Sequence, residues 1–144
     1  MDGGCVFGMP IRYVEAPDVK KLADEIIDKL SLFHVVPQFL FCFRSTGSSS
    51  ERTIARIHGL GKIWQEALNL PASYTIEVIS ERFDRLSQKE KEKTIIHELL
   101  HVPEAFAGGF RPHKGYINDR IVENLHRTLL EQRRTGNHGA SDLI

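Results

Sequence analysis

Between Val19 and Leu30 the apolar residues recur at Val19, Leu22, Ala23, Ile26, Ile27 and Leu30. This i, i+3, i+4, i+7 spacing predicts an amphipathic helix, with Pro17 tolerated in the first turn, where no intrahelical donor is needed. The pattern changes in "PQFLFCFR", a short aromatic-rich run that suits a strand. The serine-rich "STGSSSE" (45–51) then predicts a flexible connection to a neighbouring strand in "RTIARI". After the glycines of "HGLG", "KIWQEALNL" reads as a short helix stopped by Pro71. "YTIEVIS" (74–80) puts Tyr74, Ile76 and Val78 on one face, the alternation of a half-buried strand.

The next helix carries its own end signals. Ser87 and Glu90 in "SQKE" form a capping-box pattern, in which each side chain can satisfy a backbone donor of the first turn. Pro103 closes it by pushing the preceding residue out of helical conformation, giving a span from Gln88 to about Val102. A loop, "PEAFAGGFRP", is punctuated by Gly108, Gly109 and Pro112. A last helix, from about Asn118 to Arg134, repeats apolar residues at Ile117, Ile121, Val122, Leu125 and Leu129. "TGNHGASDLI", from about residue 135, reads as a frayed tail. With no repeat and no boundary, residues 1–144 are expected to form a single domain.

Composition narrows the options. Lysine plus arginine equals aspartate plus glutamate at 19 each, so net charge gives no argument for nucleic acid as a partner. Arg127, Arg133 and Arg134 are expected on a solvated helix face. No apolar run approaches the roughly 20 residues that span a bilayer, and no membrane partner is expected. The first 18 residues lack a basic n-region and a long apolar stretch, and Cys5 and Cys42 have no metal-binding spacing. Cys42, within an apolar run, is expected to be a buried, inert thiol. These features point to a cytoplasmic, reducing location.

The chemistry lies in "HELLH", His97 to His101. At about 100° per residue, His97 and His101 fall about 40° apart on one face, one turn from each other. Ile95, Ile96, Leu99, Leu100 and Val102 occupy the opposite side, so neither histidine lies on the apolar back. Glu98 borders the polar front. H-E-x-x-H on a helix is a known zinc-binding solution, with the glutamate beside the water as general base. A catalytic zinc takes three protein ligands, so one more is required. His113, twelve residues past His101, follows a Gly-Gly turn in a loop that reaches about 40 Å when extended. Glu123 falls about 160° from the apolar stripe of the last helix and is expected to face water. His113 is therefore favoured, and Glu123, His126 and Glu104 remain open as alternatives. Asp119, Glu123 and His126 otherwise read as a charged outer helix face, or as groups that orient a ligand imidazole.

The run "FDRLSQKEKEKTIIHELLHVPEAFAGGFRPHKGYI" resembles the small metallopeptidases of archaea and phages, relatives of the SprT-like zincins, with their HELLH-P-F-G-RPH signature. The likeness extends more loosely through "RTIARIHGLGKIWQEALNLPASYTIEVIS" and covers about two-thirds of the chain. It implies an α+β, minimal zincin-like fold: a small mixed sheet with an N-terminal helix, the metal-binding helix and a C-terminal helix. It also implies His97, His101 and His113 as ligands of one Zn2+ and Glu98 as catalytic base. "HKGY" echoes the histidine-glycine segment of SprT-like domains, with a lysine interposed. The cysteine zinc ribbon of the longer SprT-like proteins is absent, so DNA-linked substrates do not carry over.

The expected function is a zinc metallopeptidase acting on a peptide or protein substrate. A substrate strand would add to the sheet, with "YTIEVIS" as the expected edge. Tyr116 and Arg111, near His113, are candidates to stabilise the oxyanion. Two other classes compete: a zinc hydrolase of a non-peptide substrate, and a non-catalytic zinc-binding module. The glutamate between the histidines argues against the last.

Overall fold

In the computed structural model, which describes residues 10–48, 51–113 and 115–136, the first apolar stripe forms α1 (Pro17–Lys29), with Val19, Ala23, Ile26 and Ile27 buried. Ahead of it lies β1 (Arg12–Glu15), exposed at all four residues and so without the alternation that marks a half-buried strand. A 3₁₀ turn at Pro37–Phe39 leads into β2 (Leu40–Thr46). Then follow β3 (Ala55–Gly59), α2 (Lys62–Leu68), β4 (Tyr74–Ile79) and the single turn α3 (Ser80–Phe83). The last helices among the described residues are α4 (Gln88–Leu100) and α5 (Asp119–Thr135). Cys5 and the tail beyond Gly136 lie outside the described residues.

The strands make one mixed sheet in the order β1-β2-β4-β3, with β2 and β4 parallel and the other pairs antiparallel. This corrects two expectations. The serine-rich connection does not join neighbours, because β4 inserts between β2 and β3. Nor is β4 a half-buried edge: it is central, and only Thr75 of its six residues is not buried. Tyr74, Ile76 and Val78 do share the core face, beside Leu40 and Cys42 of β2. On the other face Glu77 is 3% exposed, held by the Ser45 hydroxyl (2.5 Å), Arg56 Nε (3.0 Å) and His58 Nε2 (2.8 Å). The carboxylate is buried but fully partnered, as a charge on a central strand must be. Cys42 is buried as expected, and burial pushes its thiol up to about 12.

The core lies between that sheet face and the helices. Ile26 of α1 and Ile95, Ile96 and Leu99 of α4 are fully buried with Ile76 and Val78. Helix α4 starts at the predicted Ser87 cap, and α5 starts at a cap from Asn118 that was not predicted. Ser87 Oγ accepts from Glu90 N (3.2 Å), and Asn118 Oδ1 accepts from Ile121 N (2.9 Å). Arg133 corrects the expectation of a solvated basic face: its guanidinium bridges Glu25 of α1 and Glu92 of α4. Glu92 also accepts from His126 Nε2 at 2.8 Å, so His126 is buried at 3% exposure rather than on the outer face. The physical reason is that α5 packs against both α4 and α1, so its buried arc is wider than its apolar stripe. Among the described residues no helix is long and apolar enough to cross a membrane.

Candidate metal centre

Helix α4 presents the two histidines at its C-terminal end. It gives up α-helical bonding there: His101 N donates to Glu98 O and Val102 N to Leu99 O, at 3.1 Å each, so the final turn tightens into 3₁₀ geometry before Pro103. The helix thus stops at Leu100, two residues short of the predicted end, with His101 as its cap. His101 keeps helical angles (φ −71, ψ −17), and its ring stays beside His97, with centroids 5.2 Å apart.

The loop after Pro103 folds back over the helix end. Arg111 N donates to His101 O (2.8 Å), and Arg111 O accepts from His101 Nδ1 (3.0 Å). A carbonyl only accepts, so Nδ1 of His101 carries the proton and its Nε2 keeps a free lone pair. Two residues on, the His113 ring lies 4.6 Å from that of His101 and 5.2 Å from that of His97. His113 Nε2 and His97 Nε2 are 3.2 Å apart. One donor atom from each of the three residues lies within 4.8 Å of the others. Three imidazoles on a tetrahedral ion with bonds of about 2.0–2.1 Å would place their nitrogens roughly 3.3 Å apart, so the triad fits one small cation. Burial, and then the neighbouring His101 and His113, hold His97 below the ordinary histidine range.

What holds the loop is a pair of residues that sequence periodicity did not single out as functional. Tyr74, 1% exposed at the start of β4, donates its hydroxyl proton to Gly109 O (2.7 Å) and accepts from Gly108 N (2.8 Å). Its ring packs on Phe106 and Phe110 from the same loop. Gln65 of α2 donates to Leu60 O (2.7 Å) and Ala107 O (3.0 Å), joining the loop to the end of β3. The approach is close enough to require glycine on both sides. A Cβ on Gly59 would sit 2.6 Å from Gly108 O, and one on Gly108 would sit 2.5 Å from Leu60 O, at a φ of +105°. The only sequence signal for this clamp is the glycine spacing of "HGLG" and "AGG".

Glu98 is 8% exposed, and its carboxylate has no hydrogen-bond partner among the described residues. Burial pushes its carboxyl up to about 7. It lines a groove of about 460 Å3 that also borders His97, Ala55, Asp119 and Val122. The other ligand candidates lie outside the three-histidine cluster. Glu123 is tied to Lys93 at 2.6 Å, His126 is spent on Glu92, and Glu104 is exposed. Arg111 lays its guanidinium over the Tyr116 ring at 5.4 Å, behind the turn in which Tyr116 N and Ile117 N donate to His113 O.

Fold and site together define an α+β domain in which an HExxH helix and a returning loop gather three imidazoles near a buried carboxylate. Residues 11–131 match the family described as "Putative phage metallopeptidase", and the chain belongs to that family. Membership implies a metal ion and a peptide or protein substrate. No curated protein and no solved structure matches the chain.

Proposed function

We propose that the protein is a zinc-dependent peptidase in which His97, His101 and His113 hold the ion through ring nitrogens and Glu98 is the catalytic base. One observation carries this reading: three imidazoles converge beside a buried, unpartnered carboxylate that opens on a groove. A purely structural zinc site has no use for such a carboxylate. Zinc bound there supplies Lewis acidity, polarising a carbonyl and bringing the pKa of an attacking water down to about 7.

The protein groups do the rest. Glu98 takes the proton of the attacking water and delivers it to the leaving amine, the two-way transfer open to a carboxylate held near the reacting atoms. The Nδ1–H bond of His101 to Arg111 O fixes which nitrogen faces the ion and stiffens the ring. An extended substrate pairs with the free edge of β3, the terminal strand, whose Ala55 lines the groove together with Glu98. This replaces "YTIEVIS", which is interior. Arg111 and Tyr116, which stack on each other at 5.4 Å close to His113 in the chain, are assigned to the oxyanion.

The test is Glu98→Gln. The variant is expected to keep one zinc per chain, by elemental analysis, and to lose cleavage of an unfolded protein substrate by at least roughly a hundredfold. Unchanged turnover removes Glu98 from the mechanism.

A further inference from the structure

The groove beside Glu98 has two kinds of wall. Its floor is one stripe of α4, Glu90, Lys93, Thr94, His97 and Glu98, at the i, i+3, i+4, i+7, i+8 spacing that keeps side chains on one face. One side is the lead-in to β3 and the other is the first turns of α5, where Ala55 and Val122 supply apolar surface. The charges are uneven. Lys93 is spent on Glu123, 2.6 Å away across the groove. The carboxylates of Glu90 and Asp119 have no ion pair or hydrogen-bond donor among the described residues, and Arg52 at the mouth is the one lining cation not already paired. Glu98, nine-tenths buried and unpartnered, opens into the same space. A long side chain with an apolar stem and a cationic head matches such a lining. Its methylenes pack on Ala55 and Val122 while its head reaches the unpaired carboxylates.

Building on the peptidase reading, we propose that this groove is the specificity pocket and that it receives a lysine or arginine side chain next to the bond that is cut. Glu90 and Asp119 are the residues that choose the charge. A leucine in the same place gains the stem contacts alone, and a glutamate meets like charge.

The experiment uses the zinc-loaded full chain and quenched fluorescent peptides that differ only in one residue, Lys, Arg, Leu or Glu, at each position flanking the scissile bond. At one position kcat/KM for Lys and Arg is expected to exceed that for Glu by about tenfold, the sum of several partly solvated charge contacts. Glu90→Gln with Asp119→Asn reduces that ratio severalfold, and Glu90→Lys turns it toward Glu, with zinc content unchanged. Equal rates at every position, or a preference for Glu through pairing with Arg52, overturn the proposal. Binding of the same peptides to Glu98→Gln, followed by fluorescence anisotropy, separates this pocket from the catalytic reading. Should no peptide be cut, tighter binding of Lys than of Glu peptides upholds the pocket while the peptidase reading falls. Equal binding there sinks the pocket as well.

Discussion

Helix α4 faces a polar cluster on each side, one built around Glu92 and the other around three histidines, and the two are built on opposite principles. On the rear, Glu92 accepts from His126 (2.8 Å), Arg133 (2.8 Å) and Gln88 (3.1 Å), and Arg133 closes the network on Glu25 of α1. On the front, His97, His101 and His113 face one another at ring distances of 4.6–5.2 Å with no carboxylate among them. The rear cluster is satisfied by the protein itself and ties three helices together. The front one turns one ring nitrogen of each histidine toward the others, with His113 Nε2 and His97 Nε2 3.2 Å apart, and this is a spacing that a single cation can bridge. A histidine is thus read for function less by its burial than by whether the fold has already used its nitrogens.

If that contrast is right, zinc affinity should respond steeply on the front and not at all on the rear. His113→Ala is expected to weaken zinc binding by more than roughly a hundredfold, since orienting partners alone cost ten- to a hundredfold. Competition against a chromophoric chelator measures it, and an unaltered affinity would leave the returning imidazole without a role. Tyr74→Phe tests the step behind His113. It removes one hydroxyl that both donates to Gly109 O and accepts from Gly108 N, with the ring packing on Phe106 and Phe110 retained. About a tenfold loss of zinc affinity is expected, with circular dichroism unchanged. A full loss of folding without zinc would mean that the hydroxyl supports the fold as a whole and not the loop alone.

How much of this could be read in the sequence follows from the range of each interaction. The helices α1, α4 and α5 were legible because their stripes and caps are local, and so was the HELLH face. The place of Glu123 off the apolar stripe is local as well, and its side chain is half exposed and paired with Lys93. Strand order was not legible, because β4 takes its central place through pairings with β2 and β3 that no periodicity encodes. Nor was the Tyr74 clamp, since Tyr74 reads as an ordinary inward position of a strand. Glu92 was the missed clue: with His97 at 0° it falls at about 220°, in the middle of the apolar back of its helix. A carboxylate there demanded buried partners, and His126 and Arg133 were available at helical spacing on α5.

The rear cluster supplies the smallest expected effect on zinc and the clearest control. Burial by itself would raise the carboxyl of Glu92, but the donors from His126, Gln88 and Arg133 outweigh it and hold the group below its ordinary 4.5. A carboxyl whose folded pKa is depressed contributes stability that is complete above its unfolded value and is lost as pH falls through the folded one. Glu92→Gln keeps the shape and removes the charge that faces Arg133 and His126. At neutral pH it is expected to cost about 2 kcal/mol of unfolding free energy in urea, within the range for a charged hydrogen bond left incomplete. The gap from the native chain should begin to narrow as pH drops below 4.5 and close as pH falls through the lower folded value, where the native carboxyl takes up its own proton. Zinc affinity should not move. If zinc binding fell in step with stability, the two faces of α4 would be one coupled unit, and the division drawn between architecture and chemistry would have to be given up.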